Sequence, residues 1–296
     1  MLARRSLVIV FATEIVLCTL PAADSNYLQQ IERSRKETDE FLRSSKSPLL
    51  LVGRFEVPEG ASQIGSDPQS QVVLPERAPK HLGVIERRGK DITLRIADGA
   101  MASVNGKPAT GAVHLLAVES PKPTDRVGFG DFLFSIRPDG DGFILLLRDE
   151  NSPYARSFKG TTWYPANPAY RVTARFTPYE TAKTIPVADT AGQTRNYSVP
   201  GYLTFTIDGQ EARLDPVVLG ENLFIMFHDR TSGKQTYGTG RFLSADMPKD
   251  GTTVLDFNKA YNPYCAYNPY ASCPLPPKQN RLPVEIPAGE TYQGEH

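Results

Sequence analysis

The chain has 296 residues, 40% of them hydrophobic and 9% aromatic, enough for one large domain or two ordinary ones with cores of their own. Lys plus Arg and Asp plus Glu both number 33, and the resulting net charge of zero argues against a non-specific nucleic-acid binder, which needs a basic surplus to neutralise phosphates. With Gly at 23 and Pro at 25, the punctuation is too dense for long helices and suits short strands joined by turns.

Residues 1–23 read as a signal peptide. Arg4 and Arg5 charge the start, residues 7–13 are mostly apolar, and the run resumes after Glu14 with Ile15, Val16, Leu17 and Cys18. Ala22 and Ala23 are small residues suited to cleavage, and polar Asp24 and Ser25 follow. The expected destination is outside the cytoplasm, periplasmic or secreted. A retained anchor is the alternative, but Glu14 interrupts the run and a span wants about 20 apolar residues. Leu17 is too large for the position before a lipidated Cys18, and Arg4-Arg5 also fits a twin-arginine signal. Beyond the leader, no stretch is apolar and long enough to cross a bilayer.

Residues 24–46 hold an N-terminal helix, clearest over 26–44. Leu28, Ile31, Phe41 and Leu42 make a sparse apolar stripe among charges. Glu32–Lys36 and Arg33–Glu37 are opposite charges one helical turn apart, each adding about 0.3 kcal/mol. The pattern predicts a solvated helix lying against the first domain.

From Pro48 the pattern changes to strands and turns. Apolar or alternating runs occupy residues 49–52, 71–74, 82–86, 91–96, 112–118, 132–136 and 143–147. Asn105-Gly106 and Asp139-Gly140 are dipeptides that take positive φ in tight hairpins. Strands at such spacing imply a β-sandwich over residues 47–148. Ile64-Gly65-Ser66-Asp67, His81-Leu82-Gly83-Val84-Ile85, Val104-Asn105-Gly106 and Gly128-Phe129-Gly130-Asp131 give residues 51–136 a sequence that resembles a degenerate forkhead-associated β-sandwich. That resemblance implies a fold. It does not carry phosphothreonine reading, because Ser66 and Ala78 stand where the family has its phosphate-holding Arg and Ser. His81 is then expected to brace a turn.

Residues 148–168 are polar, broken by Pro153, Gly160, Pro165 and Pro168, and read as an irregular crossing. Strands resume at 171–178, 201–208, 210–214, 223–228 and 253–257, with Asp208-Gly209 as a hairpin turn. Residues 149–296 are therefore expected to form a second antiparallel sandwich or partly open barrel. The expected class is mostly β: two packed antiparallel modules with one N-terminal helix.

The densest chemistry is late. Asp229, Thr231, Tyr237, Arg241, Asp256 and Asn258 sit on or beside successive strands and are candidate ligand-binding residues. Arg241 has the fork to grip a carboxylate or phosphate; the inert alternative is a buried Arg–Asp pair that ties strands together. Ala260-Tyr-Asn-Pro-Tyr264 recurs as Ala266-Tyr-Asn-Pro-Tyr270, so Asn262 and Asn268 should open turns that present four tyrosines, Tyr261 among them. Those rings form either an aromatic platform for a sugar or other planar-faced ligand or simple packing over a stiff tail. Cys265 and Cys273, eight residues apart, are best read as a disulfide in an oxidising compartment, worth roughly 2–3 kcal/mol. A reduced pair, a metal site completed by His81, His114, His228 or His296, and a Cys nucleophile served by His228 and Asp229 are the alternatives.

His228-Asp229-Arg230-Thr231, Thr236-Tyr237-Gly238-Thr239-Gly240-Arg241, Asp256-Phe257-Asn258-Lys259-Ala260, Asn280-Arg281-Leu282-Pro283 and Ala288-Gly289-Glu290 together make the chain similar to an uncharacterised prokaryotic family, domain of unknown function 1684, over residues 53–290. The resemblance implies shared architecture and no activity. His228 departs from the family's pattern, which weighs against a catalytic role for it.

No nucleophile elbow, phosphate loop, zinc-protease helix or dinucleotide fingerprint is present, so no cofactor, metal or catalytic residue is assigned. The expectation is an exported, non-catalytic ligand-binding or structural envelope protein, its partner a small molecule, glycan or envelope component. The alternative is a hydrolase working through Asp229 and Asp256.

Overall fold

The computed structural model describes residues 22–118 and 122–294, so all but the last two residues of the expected signal peptide lie outside the described residues. Helix α1 (Ala22–Leu42) opens the described chain and buries Ile31 and Leu42. The expectation that it lies against the first domain is corrected. Its Tyr27, Arg35 and Asp39 hydrogen-bond to Asp256 of the second domain and to the Tyr164 carbonyl and Thr161 amide of the crossing that leads to it. The sequence marks the helix only as solvated, because these polar residues are indistinguishable there from its exposed charges.

The first domain has the strands β1 (Leu51–Glu56), β2 (Gly60–Gly65), β3 (Val72–Val73), β4 (Gly83–Arg88), β5 (Asp91–Ile96) and β6 (Ala102–Val104). It continues with β7 (Lys107–Ala109), β8 (Ala112–Leu115), β9 (Arg126–Phe129), β10 (Phe132–Asp139) and β11 (Gly142–Asp149). They form two sheets, ordered β1-β11-β10-β9-β6-β7 and β3-β2-β4-β5-β8. Strand β10 alternates buried and half-buried residues, as a strand with one core face must. Phe134, Leu145 and Leu147 from the first sheet meet Ile64, Ile85 and Leu94 from the second in one core. Asn105 and Gly106 both adopt positive φ between β6 and β7, the hairpin geometry their sequence implies. Where the family likeness would place a phosphate site, the Ser66 hydroxyl donates to the Ala78 carbonyl (2.8 Å) and the exposed His81 faces Asp67 at 3.8 Å.

A short helix α2 (Pro153–Ser157) and an irregular stretch lead to the second domain. Its strands are β12 (Arg171–Ala188), β13 (Thr194–Ile207), β14 (Gln210–Leu214), β15 (Val217–Leu219), β16 (Asn222–Phe227), β17 (Arg241–Asp246) and β18 (Thr252–Asp256). They make a sheet ordered β14-β13-β12-β18 and another ordered β15-β16-β17. No ladder among the described residues joins the two into a closed barrel.

Alternation along β16 explains what lies on each side. Leu223, Ile225 and Phe227 point into the core shared with Leu203, Phe205 and Leu255 of the facing sheet. Phe224 and Met226 point outward, yet both are buried. With Phe242 they pack against Cys265, Ala271 and Cys273 of the tail. A sheet apolar on both faces needs a cover on both. The proline- and tyrosine-rich tail, residues 257–292, supplies that second cover through Cys265, Ala271 and Cys273, while its Phe257, Ala260, Leu282, Val284, Ile286 and Ala288 join the inner core.

Candidate functional site

Arg241 begins β17 and is fully buried. Its Nη2 donates to Asp229 Oδ2 (2.6 Å) and to the Ile286 carbonyl (2.9 Å), and its Nη1 donates to the Ala288 carbonyl. Asp229 Oδ1 accepts from the Thr231 amide (2.6 Å) and the Thr231 hydroxyl (2.5 Å), and that hydroxyl lies 2.9 Å from Thr236 Oγ1. Burial pulls the Arg241 guanidinium below its usual range while Asp229 counters it. A desolvated ion pair is tolerated when its remaining donors and acceptors are met; here both Nη groups are spent on Asp229 and on the tail at residues 286–288, and only the buried Nε is left without a partner. This is a strand-to-tail lock with no room for a ligand carboxylate or phosphate.

Asp256 and Asn258 form a second lock at the end of β18. The Tyr27 hydroxyl donates to Asp256 Oδ1 (2.9 Å), and Asn258 Nδ2 donates to the Tyr27 oxygen (2.9 Å) and to the Asn167 carbonyl (2.9 Å). Asn258 Oδ1 accepts from the Asn167 amide (2.8 Å). Burial first, then the Asp256 carboxylate, pushes the Tyr27 phenol far above its ordinary range. The effect is to fasten α1 and the crossing segment to β18.

Tyr237 belongs to a third cluster. Its hydroxyl donates to the Cys265 carbonyl (3.1 Å), and its ring meets Tyr292 edge-on at 4.8 Å. Cys265 and Cys273 are free, buried thiols in hydrogen-bonding contact with each other. The Cys273 thiol pulls Cys265 down, and that same bond drives Cys273 up. The Cys265 amide also points at Cys273 Sγ (3.3 Å). No cluster of His, Cys, Asp and Glu able to hold a metal occurs among the described residues. His228 lies well apart in role: burial and then Arg281 lower its pKa, and its amide and carbonyl are bonded to Asn280 and Leu282.

The predicted residues thus fall into three separate networks, and Tyr261 belongs to none of them. It lines a cleft of about 280 Å³ between α1 and the tail. Tyr261, Tyr264 and Tyr267 of the repeat contribute to its wall, with Phe41 opposite on α1. Tyr270 turns away and packs edge-on against Tyr154 at 6.1 Å. Phe41 and Tyr264, 39% and 38% exposed, stand at the mouth with ring centroids 6.0 Å apart. Burial pushes the Tyr261 phenol up to about 12.

The cleft also reaches Asn262 and Glu290. Glu290 is 1% exposed, accepts from the Asn262 amide (2.8 Å) and from the Tyr267 hydroxyl, and has its pKa pushed up to about 8 by burial. Asn262 Nδ2 donates to the Thr291 carbonyl (3.0 Å), while Oδ1 is buried with no partner. Rotating the amide would take the donor from Thr291, so the oxygen is the atom left over. The other buried asparagines of the tail show how unusual this is. Asn258, Asn268 and Asn280 each fill their Oδ1 with a backbone amide, from Asn167, Tyr270 and Asp215.

Residues 156–291 match the family described as protein of unknown function (DUF1684). The chain belongs to that family. A solution NMR structure of an uncharacterized protein from Haloarcula marismortui is similar at 36% identity, the match covering 49% of this chain and 83% of that one with a TM-score of 0.42. No curated protein matches the sequence. The DUF1684 segment holds β12 to β18, both locks and the third cluster apart from Tyr27 and Tyr292, both thiols and the tail wall of the cleft. Helix α1 and the first sandwich precede it, and the forkhead-associated likeness stays a resemblance in sequence.

Glu290 is the residue that sequence reasoning passed over, noted only as the end of Ala288-Gly289-Glu290. The signal was the glycine. Gly289 has φ +82°, and a Cβ there would lie 2.6 Å from the Ala260 and Phe257 carbonyls. The chain turns inward through this residue, and the next side chain is carried beneath the tail. A conformation reserved for glycine beside an acid is a legible, if local, mark of a buried carboxyl.

Proposed function

We propose that this DUF1684 protein is an exported, non-catalytic binding protein that takes a small molecule in the cleft between α1 and the tyrosine-rich tail. The observation that carries this reading is the buried Asn262 Oδ1, an acceptor with no donor, on a residue that lines a cavity of about 280 Å³. A buried polar atom without a partner costs about 1–3 kcal/mol, and a ligand donor would recover it. The ring wall supplies apolar contact, and the buried carboxyl beside it a second polar anchor.

Export rests on the leader, and the cross-link between Cys265 and Cys273 on thiols that already touch. No helix of the described residues is long and apolar enough to cross a membrane. The hydrolase alternative gains nothing: Asp229 is closed on Arg241, and Asp256 is taken up by Tyr27 and Asn258.

The test is ligand-observed NMR on the full mature chain with a library of small sugars, amines and alcohols. Binders should be found that compete with one another and are lost in Asn262→Ala, whose circular dichroism stays that of the wild type. Binders indifferent to Asn262→Ala, or none at all, would refute the reading.

A further inference from the structure

We infer that the ligand of this cleft is a small organic cation, a protonated amine on a short apolar stem. The inference rests on the cleft being the binding site and adds its chemical preference.

The lining is one-sided in charge. It carries the carboxyls of Glu37 and Glu290 and no Lys, Arg or His. Three of the cations nearby are already committed. Lys36 faces Glu40 at 3.6 Å, Arg43 holds Asp39 at 2.7 Å, and Arg241 is closed on Asp229. The amide and carboxyl groups of the lining offer acceptors. Asn262 Oδ1 is an acceptor in want of a donor. Both Glu290 oxygens accept, one from Tyr267 and one from the Asn262 amide. The Thr38 hydroxyl is turned back to donate to the Ser34 carbonyl (3.0 Å). An ammonium has three donors and no acceptor, and so complements this set. A sugar hydroxyl brings an acceptor with each donor and no charge to set against the two carboxyls.

The mouth fits the same ligand. The faces of Phe41 and Tyr264 are exposed at the entrance, and an aromatic face attracts a cation while also covering an apolar stem. The volume admits a short chain rather than a polymer segment.

Occupancy would change the charge state of the floor. The groups that act on Glu290 are Tyr267 and Asn262 beside it, Arg241, which favours its ionised form, and Asp39 on α1, which opposes it. In the empty cleft burial outweighs Arg241, and the carboxyl keeps its proton near neutrality. An ammonium placed against it supplies the missing counter-charge. The proton leaves Glu290 for solvent, and the bound state becomes a carboxylate–ammonium pair.

The experiment is titration calorimetry of the full mature chain with n-butylammonium, with 1-butanol and glucose as neutral probes of similar bulk, at pH 7 in two buffers of different ionisation enthalpy. Butylammonium should bind saturably with proton release, and the neutral probes should not saturate over the same range. Glu290→Gln should weaken butylammonium binding roughly tenfold and abolish proton release. If that variant does not fold, Glu37→Gln at the exposed rim should weaken binding by about threefold, with the fold intact. Saturable glucose or butanol binding that Asn262→Ala removes, with butylammonium inert, would overturn the cation preference and leave the cleft reading standing. No saturable probe, together with an empty amine, sugar and alcohol library, would overturn both.

Discussion

Replacing Arg241 by Met tests whether the Arg241–Asp229 pair is a lock. Both side chains have no exposed surface. The substitution leaves the Asp229 carboxylate buried with only the two Thr231 donors, and it strips the donors from the Ile286 and Ala288 carbonyls. Breaking a buried pair from one side costs about 3–5 kcal/mol, a large part of a total stability of about 5–15 kcal/mol. Asp229→Asn added to Arg241→Met removes the stranded charge and keeps the oxygen that accepts from Thr231. The double variant should therefore be more stable than Arg241→Met alone, with the residual loss about 1–3 kcal/mol from the two carbonyls. Urea unfolding followed by fluorescence reads this well, because the single tryptophan, Trp163, pairs through its backbone with Glu290 in the same region. A loss below about 1 kcal/mol in the single variant, or a double variant worse than the single, would refute the argument.

Asn268→Ala should lower stability by about 2–3 kcal/mol, because its Nδ2 bridges the Pro48 (3.1 Å) and Leu51 (2.8 Å) carbonyls and so ties the tail to the first sandwich; thermal unfolding checks it. Glu290 makes stability fall as pH rises. Its folded pKa of about 8 lies above the ordinary 4.5, so the folded state holds a proton that the unfolded state has lost. The contribution is whole below about 4.5 and declines through the window up to about 8, by at most ~1.4 kcal/mol per pH unit. Glu290→Gln should flatten that slope in urea unfolding at pH 5 and pH 8, and parallel profiles for the two proteins would count against it. Protein taken from its native host should show no alkyl adduct on Cys265 or Cys273 when unfolded without reductant, and two with it; adducts without reductant would end the proposal of a cross-link.

The parts of this fold that were legible are those where one face meets a core. Strands β5, β10, β11 and β14 and the Asp208-Gly209 hairpin follow from alternation and turn chemistry. Where that contrast is missing, the sequence is silent. Beyond Pro178, β12 runs ten residues further as the outer half of a ribbon with β13, mostly exposed, so no apolar period marks it. Residues 49–52 read as one strand, but Pro48–Leu50 form a 3₁₀ turn, with the Ser47 hydroxyl accepting from the Leu49 amide, and β1 begins at Leu51. At the site, the chemistry of Arg241, Asp229 and Asp256 was visible, yet the partners that neutralise them lie up to 229 residues away in sequence. Side chains disclose what they can bond, and only the fold discloses that the bonds are already made.

The tail that roofs β16 and β17 is synthesised after both strands, and the helix that fastens to Asp256 and Asn258 is synthesised more than 200 residues before its anchors. Until the ribosome has delivered residues 257–292, Phe224, Met226 and Phe242 have no roof, and Tyr27 has no anchor. Such distant pairing makes for slow closure and a spell of greasy surface open to aggregation. Folding of the second domain thus waits on its distal segment, and a chain cut short before residue 257 should be a substrate for proteases instead of a smaller working domain.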